Sequence, residues 1–263
     1  MIELKVASYN IHGGVGADSR LSLRRIVGVI REINPDIIAL QEVGSLDDIS
    51  RGRSQFQALA RLTGLHFVAG PTGPGYYGNA ILSRFPVLEN GRTVLNYRNR
   101  EPRGMLHCIL KLDPNNQPLP AARAGSHSTN QGHGDTREAH EVPEMVIYAT
   151  HLGLNQRERW TQILRLIARI RRMGKLQNRP FLLMGDFNIW WPISRQLHYL
   201  EKHLKTRWHR DHTFPARWPF LSLDRMAAGG SVEWIECSRY STALSRQASD
   251  HLPLVARIRV DQN

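Results

Sequence analysis

The sequence predicts a mixed α/β fold. Three observations carry this: short apolar runs of strand length recur from end to end, only a few segments show helical spacing, and glycine, proline or small polar residues separate them. Residues 1–12 read as the first strand, with Leu4, Val6 and Ser8 on one face. A helix follows over 22–33, because Leu23, Ile26, Val27 and Ile30 recur at helical spacing behind Ser22 as N-cap, and Pro35 stops it. Residues 36–40 form a buried strand that delivers Glu42 at its end. Phe56, Leu59 and Ala60 mark a second helix, closed by Gly64.

Residues 70–78 read as a glycine- and proline-rich loop carrying Tyr76 and Tyr77, leading into a strand at 79–83. A strand near 105–112 precedes residues 114–143, a polar stretch that fits no element and is expected as a mobile insertion between two strands. Residues 146–150 form the next strand. The clearest helix comes after it, with Trp160, Ile163, Leu164, Ile167 and Ile170 on an apolar stripe. Its outer face carries Arg157, Arg159, Arg165, Arg169, Arg171 and Arg172; such a row is ordinarily a solvated face. Residues 181–184 form a strand ending at Asp186, 193–203 a short helix, and the tail from Val232 two or three more strands, the last at 255–260.

A hydrophobic content of 41% and a charged content of 22% are those of a soluble globular protein. No apolar run is long enough to span a bilayer, which excludes an integral membrane segment, and residues 1–7 alternate like a strand without a secretory core. A cytoplasmic monomer is the expectation. Cys108 and Cys237, both in apolar-rich segments, are expected as buried free thiols of a reducing compartment. The net charge of +12 favours polyanionic partners, either nucleic acid or an anionic lipid surface, with a generally basic proteome as the competing explanation.

Five segments place metal- or phosphate-competent residues where apolar runs end. They are Ser8-Tyr9-Asn10-Ile11-His12, Leu40-Gln41-Glu42-Val43, Thr150-His151-Leu152, Met184-Gly185-Asp186-Phe187-Asn188 and Ser249-Asp250-His251-Leu252-Pro253-Leu254. Carboxylates, amides and imidazoles at strand ends converge only if the strands pack side by side, and together they suit a hard divalent cation and a phosphate ester. Glu42, a lone acid after an apolar strand, suits the central metal ligand. Asn10 is neutral and supports a metal or a phosphate oxygen where a second charge would repel substrate; a turn-forming role before Gly13-Gly14 competes. Asp186 and Asn188 lie two apart, so an extended backbone puts both on one face, with an Asx-turn as the rival reading. Asp250 and His251 are adjacent, so their side chains diverge and neither simply orients the other.

In this order the motifs resemble the endonuclease/exonuclease/phosphatase superfamily of metal-dependent phosphoesterases, from Ser8 to Leu254. Asn79-Ala80-Ile81-Leu82-Ser83-Arg84, Thr213-Phe214-Pro215 and Leu223-Asp224-Arg225 resemble a compact bacterial branch of it. The resemblance implies one catalytic domain over 1–263, a two-sheet β-sandwich flanked by helices in four α/β/β/α layers, with 114–143 inserted in it. It implies Mg²⁺ as cofactor, Mn²⁺ as a substitute, and Glu42, Asn10 and Asp250 on the metal side. Asp186 would orient or deprotonate the attacking water, and Asn188, with Asn10, would bind the phosphate. Asp224 would partner His251, which is either the general base or an imidazolium stabilising the pentacoordinate phosphorus; both roles stay open. His151 would donate to a phosphate oxygen. Arg159, with Gln162 at the family's usual helix opening, joins the phosphate-binding set.

The expected activity is hydrolysis of a phosphoester by in-line attack of an activated water. Nucleic acid ranks first as substrate class, phospholipid or sphingolipid headgroups second, and phosphomonoesters such as soluble metabolites or inositol phosphates third. The rival from another class is a non-catalytic polyanion-binding module on the same fold. Trp190-Trp191 reads equally as substrate contact, by base stacking or lipid insertion, and as loop packing. His127, His133 and His140 lack the spacing of a zinc site.

Overall fold

The computed structural model describes residues 1–44, 54–73, 77–113, 142–177, 179–191 and 193–261. One sheet is built from β1 (Ile2–Asn10), β2 (Ile37–Gly44), β3 (His66–Pro71), β4 (Tyr77–Ser83), β10 (Val232–Arg239) and β11 (Leu254–Val260), in the order β10-β11-β1-β2-β4-β3. The other is β5 (Val87–Val94), β6 (Gly104–Lys111), β7 (Glu144–His151), β8 (Phe181–Asp186) and β9 (Asp224–Gly229), in sequence order. Both sheets are mixed: β1 runs parallel to β2 and β7 parallel to β8, with the other neighbours antiparallel.

Alternation along each strand decides which layer a side chain joins. Ile2, Leu4 and Val6 of β1 enter the core between the sheets, as do Ile147 and Ala149 of β7, Leu182 and Met184 of β8, and Met226 of β9. The intervening residues face the helices. Ala7 and Tyr9 pack under α1 (Leu23–Ile33) and α2 (Gln55–Thr63). Tyr148 and Leu183 pack under α3 (Gln156–Gln177) and α4 (Arg195–Leu204). A short α5 (Ala243–Ala248) lies against α1. The result is the four-layer α/β/β/α sandwich. Carried past the apolar positions, the inward series of β1 reaches Asn10, that of β7 reaches His151, that of β8 reaches Asp186 and that of β9 begins at Asp224. The site therefore lies where the seam between the sheets opens.

Several local features differ from the sequence expectations. Ser22 is extended and makes no side-chain cap bond, and α1 closes at Asn34 in the left-handed region, with its N–H on the Ile30 carbonyl ahead of Pro35. Residues 70–78 are not one loop: Gly70 and Pro71 finish β3, and Tyr77 opens β4. Leu164 is half-exposed and Leu166 takes the buried place, because Ile163, Leu166, Ile167, Ile170 and Met173 share one face at helical spacing and 164 lies off it. Cys108 is buried, Cys237 only half-buried, and both are free thiols. Residues 114–141 of the expected insertion, with His127, His133 and His140, lie outside the described residues. Their flanks are joined by β6 and β7, where Lys111 faces Glu144 and the Leu112 N–H donates to the Pro143 carbonyl at 2.8 Å.

Candidate active site

The C-terminal ends of β1, β2, β7 and β8 meet the starts of β9 and β11 at the mouth of the seam. Two backbone devices aim the side chains there. The register between β2 and β4 shifts between Leu40 and Val43, and Glu42 sits at φ 55°. Such a bulge turns a side chain out of the strand's alternation, and a non-glycine residue at positive φ is held there by its surroundings. Asn188 is likewise at φ 52°. Between the two strands that carry His151 and Asp186, only glycine fits at 185, since a Cβ there would come within 1.9 Å of the Thr150 carbonyl oxygen.

The Asn10 amide joins the two sheets. Its Nδ2 donates to Glu42 Oε1 at 2.9 Å and to Asp186 Oδ2 at 3.1 Å, while its Oδ1 accepts from the His12 N–H at 3.0 Å. Two carboxylates thus share one neutral donor. Among the described residues their ion-pair contacts are with histidines: His151 Nε2 is 3.9 Å from Glu42 and 3.6 Å from Asp186, and His251 Nε2 is 3.8 Å from Asp186. Asp186 Oδ1 also accepts the Asn188 N–H at 2.9 Å, so the Asx-turn and the converging geometry coexist.

His251 and Asp224 form a buried pair, Nδ1 to Oδ2 at 2.8 Å. Thr213 Oγ1 donates to the same Asp224 oxygen, and the Phe214 ring lies 4.8 Å from the imidazole. Burial by itself would lower the His251 pKa, but the carboxylates of Asp224, Asp186 and Asp250 outweigh it and push it up to about 10. His151 is driven the other way, well below the ordinary histidine value, by burial, the Arg103 guanidinium and His251. Burial raises Asp186 above the ordinary carboxylate range against the pull of His251, and Asp224 adds to the rise.

His151 Nδ1 accepts from Arg103 Nη1 at 3.0 Å, and because arginine keeps its protons, the neutral ring carries its hydrogen on Nε2. That Nε2 lies 3.1 Å from Asn188 Nδ2, whose amide is oriented by donation to the Leu152 carbonyl at 2.9 Å. With the ring hydrogen on Nε2, His151 and the Asn188 amide are two N–H donors facing each other at 3.1 Å, like groups that an incoming acceptor such as a phosphate oxygen would serve.

The structure thus brings together Asn10, Glu42, His151, Asp186, Asn188, Asp224 and His251. Asp250 stands at the solvent side, its Oδ1 3.8 Å from His12 Nδ1. Arg159 is not in the group. Its Nη1 donates to the Gly153 and Leu154 carbonyls and its Nε to Gln196 Oε1, so it fastens the loop after His151. Arg103 is the residue that sequence reading missed: it is buried, paired to Glu101 at 2.8 Å, and lies one residue before an apolar strand. The Glu101-Pro102-Arg103 stretch carried a signal only as charges at a strand start.

The donor set fits a hard divalent cation, since Glu42 and Asp186 are bridged by the Asn10 amide and, among the described residues, neither carboxylate is ion-paired with a lysine or arginine. A second grouping, Asp186, Asp224 and His251, has ligand atoms within 4.8 Å of one another. In it Asp224 Oδ2 is taken by His251 and Thr213, while Asp224 Oδ1 is buried without a hydrogen-bond partner.

The model of the Endonuclease/Exonuclease/phosphatase family matches residues 7–251. The chain belongs to this family. The uncharacterized protein YbhP of Escherichia coli (strain K12) is 26% identical over 279 residues, covering 97% of this chain and 95% of that protein. Among solved structures, an endonuclease/exonuclease/phosphatase from Beutenbergia cavernae superposes with a TM-score of 0.71 at 20% identity, over 99% of this chain and 72% of that one. A mannosyl-6-phosphatase from Bacteroides thetaiotaomicron gives 0.68 at 16% identity, over 97% and 99%. Family and fold together make this a phosphoesterase scaffold.

Proposed function

We propose that this family member hydrolyses phosphodiester bonds with a divalent cation, as a single cytoplasmic catalytic domain. The observation that carries this reading is the Asn10 amide, which holds carboxylates of both sheets beside the side-chain nitrogens of His151 and Asn188. Mg²⁺, or Mn²⁺ in its place, would be held by Glu42, whose carboxylate the Asn10 amide orients by donation, with Asp250 outside the group at the solvent side; when bound it would supply positive charge to the phosphate and leaving oxygens. Asp186, buried and raised in pKa, orients the attacking water and takes its proton. His251 is held as an imidazolium by Asp224 and stabilises the charge that builds on the phosphorus oxygens, which leaves the base role to Asp186. His151 and Asn188 donate to a phosphate oxygen.

The ranking of nucleic acid as first substrate rested on the +12 charge and the arginines of α3. Arg165, Arg169 and Arg171 direct their guanidinium groups to Asn96, His107 and His203 of the protein itself, which reduces the second support to the exposed Arg157 and Arg172. The test of the reaction is release of nitrophenolate from bis(p-nitrophenyl) phosphate by chelator-stripped protein after Mg²⁺ or Mn²⁺ is restored. Release that depends on the metal and is lost in His251→Ala is the expected result. Polyanion binding with no product under either metal would instead identify a binding module.

A further inference from the structure

Five large apolar side chains stand in solvent beside the site: Trp190 (57% exposed), Trp191 (77%), Ile193 (96%), Trp218 (74%) and Phe220 (64%). They belong to two segments that leave the same corner of the second sheet. The Phe187 N–H donates to the Leu223 carbonyl at 3.0 Å, and Arg225 Nη2 donates to the Ile189 carbonyl at 3.0 Å, so the chain after β8 runs beside the chain before β9. The first segment brings out Trp190 two residues past Asn188. The second folds as a hairpin closed by the Phe214–Leu221 bridge, pinned by the Ala216 N–H on the Asp250 carbonyl at 2.6 Å, with Trp218 near its tip. A cluster of this size rimming a polar cleft marks an interaction surface, because water solvates it poorly.

We infer that this rim docks on an anionic phospholipid bilayer, placing the mouth of the site at the level of the headgroups. Tryptophan and phenylalanine partition into the interfacial layer, and basic residues beside them meet the anionic headgroups. Between Ile189 and Leu223 the sequence has six lysines and arginines against Glu201 and Asp211, and Asp211 is already paired with Arg239. Exposed Arg217 sits in the hairpin next to Trp218, and exposed Arg195 lies two residues after Ile193. A base-stacking platform explains the rim less well. Ile193, the most exposed of the five, has no π face to offer a base, whereas acyl chains accept it. The inference rests on the phosphoesterase reading only for the step after docking, namely attack on the phosphodiester of a lipid headgroup.

The experiment uses the full chain in chelator, so that no turnover is needed. Sedimentation with vesicles of equal phosphatidylglycerol and phosphatidylcholine is compared with phosphatidylcholine alone. Binding to the anionic vesicles, with blue-shifted tryptophan emission quenched by brominated acyl chains, is the expected result. Trp191→Ser with Trp218→Ser should weaken that binding by roughly tenfold or more. Arg195→Glu with Arg217→Glu should weaken it on anionic vesicles while leaving their emission on the phosphatidylcholine series unchanged. Both variants change exposed residues and should hydrolyse the soluble diester as the parent does. Absence of vesicle binding, or equal binding by parent and tryptophan variant, overturns the inference. So does a single-stranded oligonucleotide that quenches these tryptophans and outcompetes the vesicles. Vesicle binding without diester hydrolysis would sink the enzymatic reading and leave the docking surface standing.

Discussion

Arg103 Nη1 lies 3.0 Å from Nδ1 of His151, the nitrogen that in His251 faces a carboxylate. One cleft therefore holds two histidines in opposite states. Burial and then a cationic partner leave His151 neutral, with its hydrogen on Nε2, while an anionic partner keeps His251 charged. A neutral donor and an imidazolium on either side of Asp186 suit a reaction in which negative charge grows on phosphate oxygens.

Arg103→Ala should lower kcat/KM on the chromogenic diester by roughly ten- to a hundredfold, the value of one charge-assisted hydrogen bond of about 1.5–3 kcal/mol. Arg103→Lys should recover part of the loss, because it restores charge without the planar fork. Steady-state kinetics of the three proteins check this, and a loss below threefold for the alanine variant would show that His151 does not depend on Arg103.

Asp224→Asn and His251→Ala should each cost roughly 10²–10⁴ in turnover. The double variant should be little worse than the poorer single, since a pair bonded at 2.8 Å acts as one unit. Losses that multiply would mean that the two side chains act separately.

Glu42→Gln keeps the shape of the side chain and removes the charge that a cation needs. Calorimetric titration with Mn²⁺ should show affinity weakened by roughly tenfold or more, with an unchanged unfolding temperature. Unaltered Mn²⁺ affinity would take Glu42 out of the metal site.

Much of this arrangement was legible in the residues, and the failures have physical causes. The strands bearing Glu42, His151 and Asp186 are buried on both faces, so their apolar runs stand out and their polar ends are conspicuous. β5 escapes sequence reading because it is an edge strand whose residues mostly face water, and β3 because it is an edge strand of the other sheet and ends in Gly70-Pro71. β9 was missed because Asp224 and Arg225 look like surface residues and two alanines come soon after them. Its burial depends on partners remote in sequence: His251 for the aspartate and the Ile189 carbonyl for the arginine. Arg103 was hidden for the same reason, since only the fold puts a strand-start charge against a histidine 48 residues away.

Replacing residues 114–141 with a turn of four or five residues should give soluble protein with diester turnover within about threefold of the parent. β6 and β7 are already in antiparallel register up to Lys111 and Glu144, so a short hairpin connection closes the gap without moving either strand. Thermal unfolding within about 4 °C of the parent, equivalent to roughly 1 kcal/mol, is the supporting outcome. Insoluble product would make the segment part of the fold.

The arginines of α3 supply the last test. Arg165 Nη1 donates to the Asn96 carbonyl at 2.7 Å, and Arg169 Nη2 lies 3.4 Å from His107 Nε2 on the sheet beneath. Side chains committed in this way fasten the helix to its own sheet and are poorly placed to neutralise phosphates. Arg165→Ala with Arg169→Ala should then lower the unfolding temperature by several degrees, about 1 kcal/mol being lost per bond. DNA affinity measured across a salt series should keep its slope, because each phosphate contact removed would change that slope by about 0.9. A slope shallower by nearly two in the double variant would show both arginines on phosphates, and would return nucleic acid to the head of the substrate ranking.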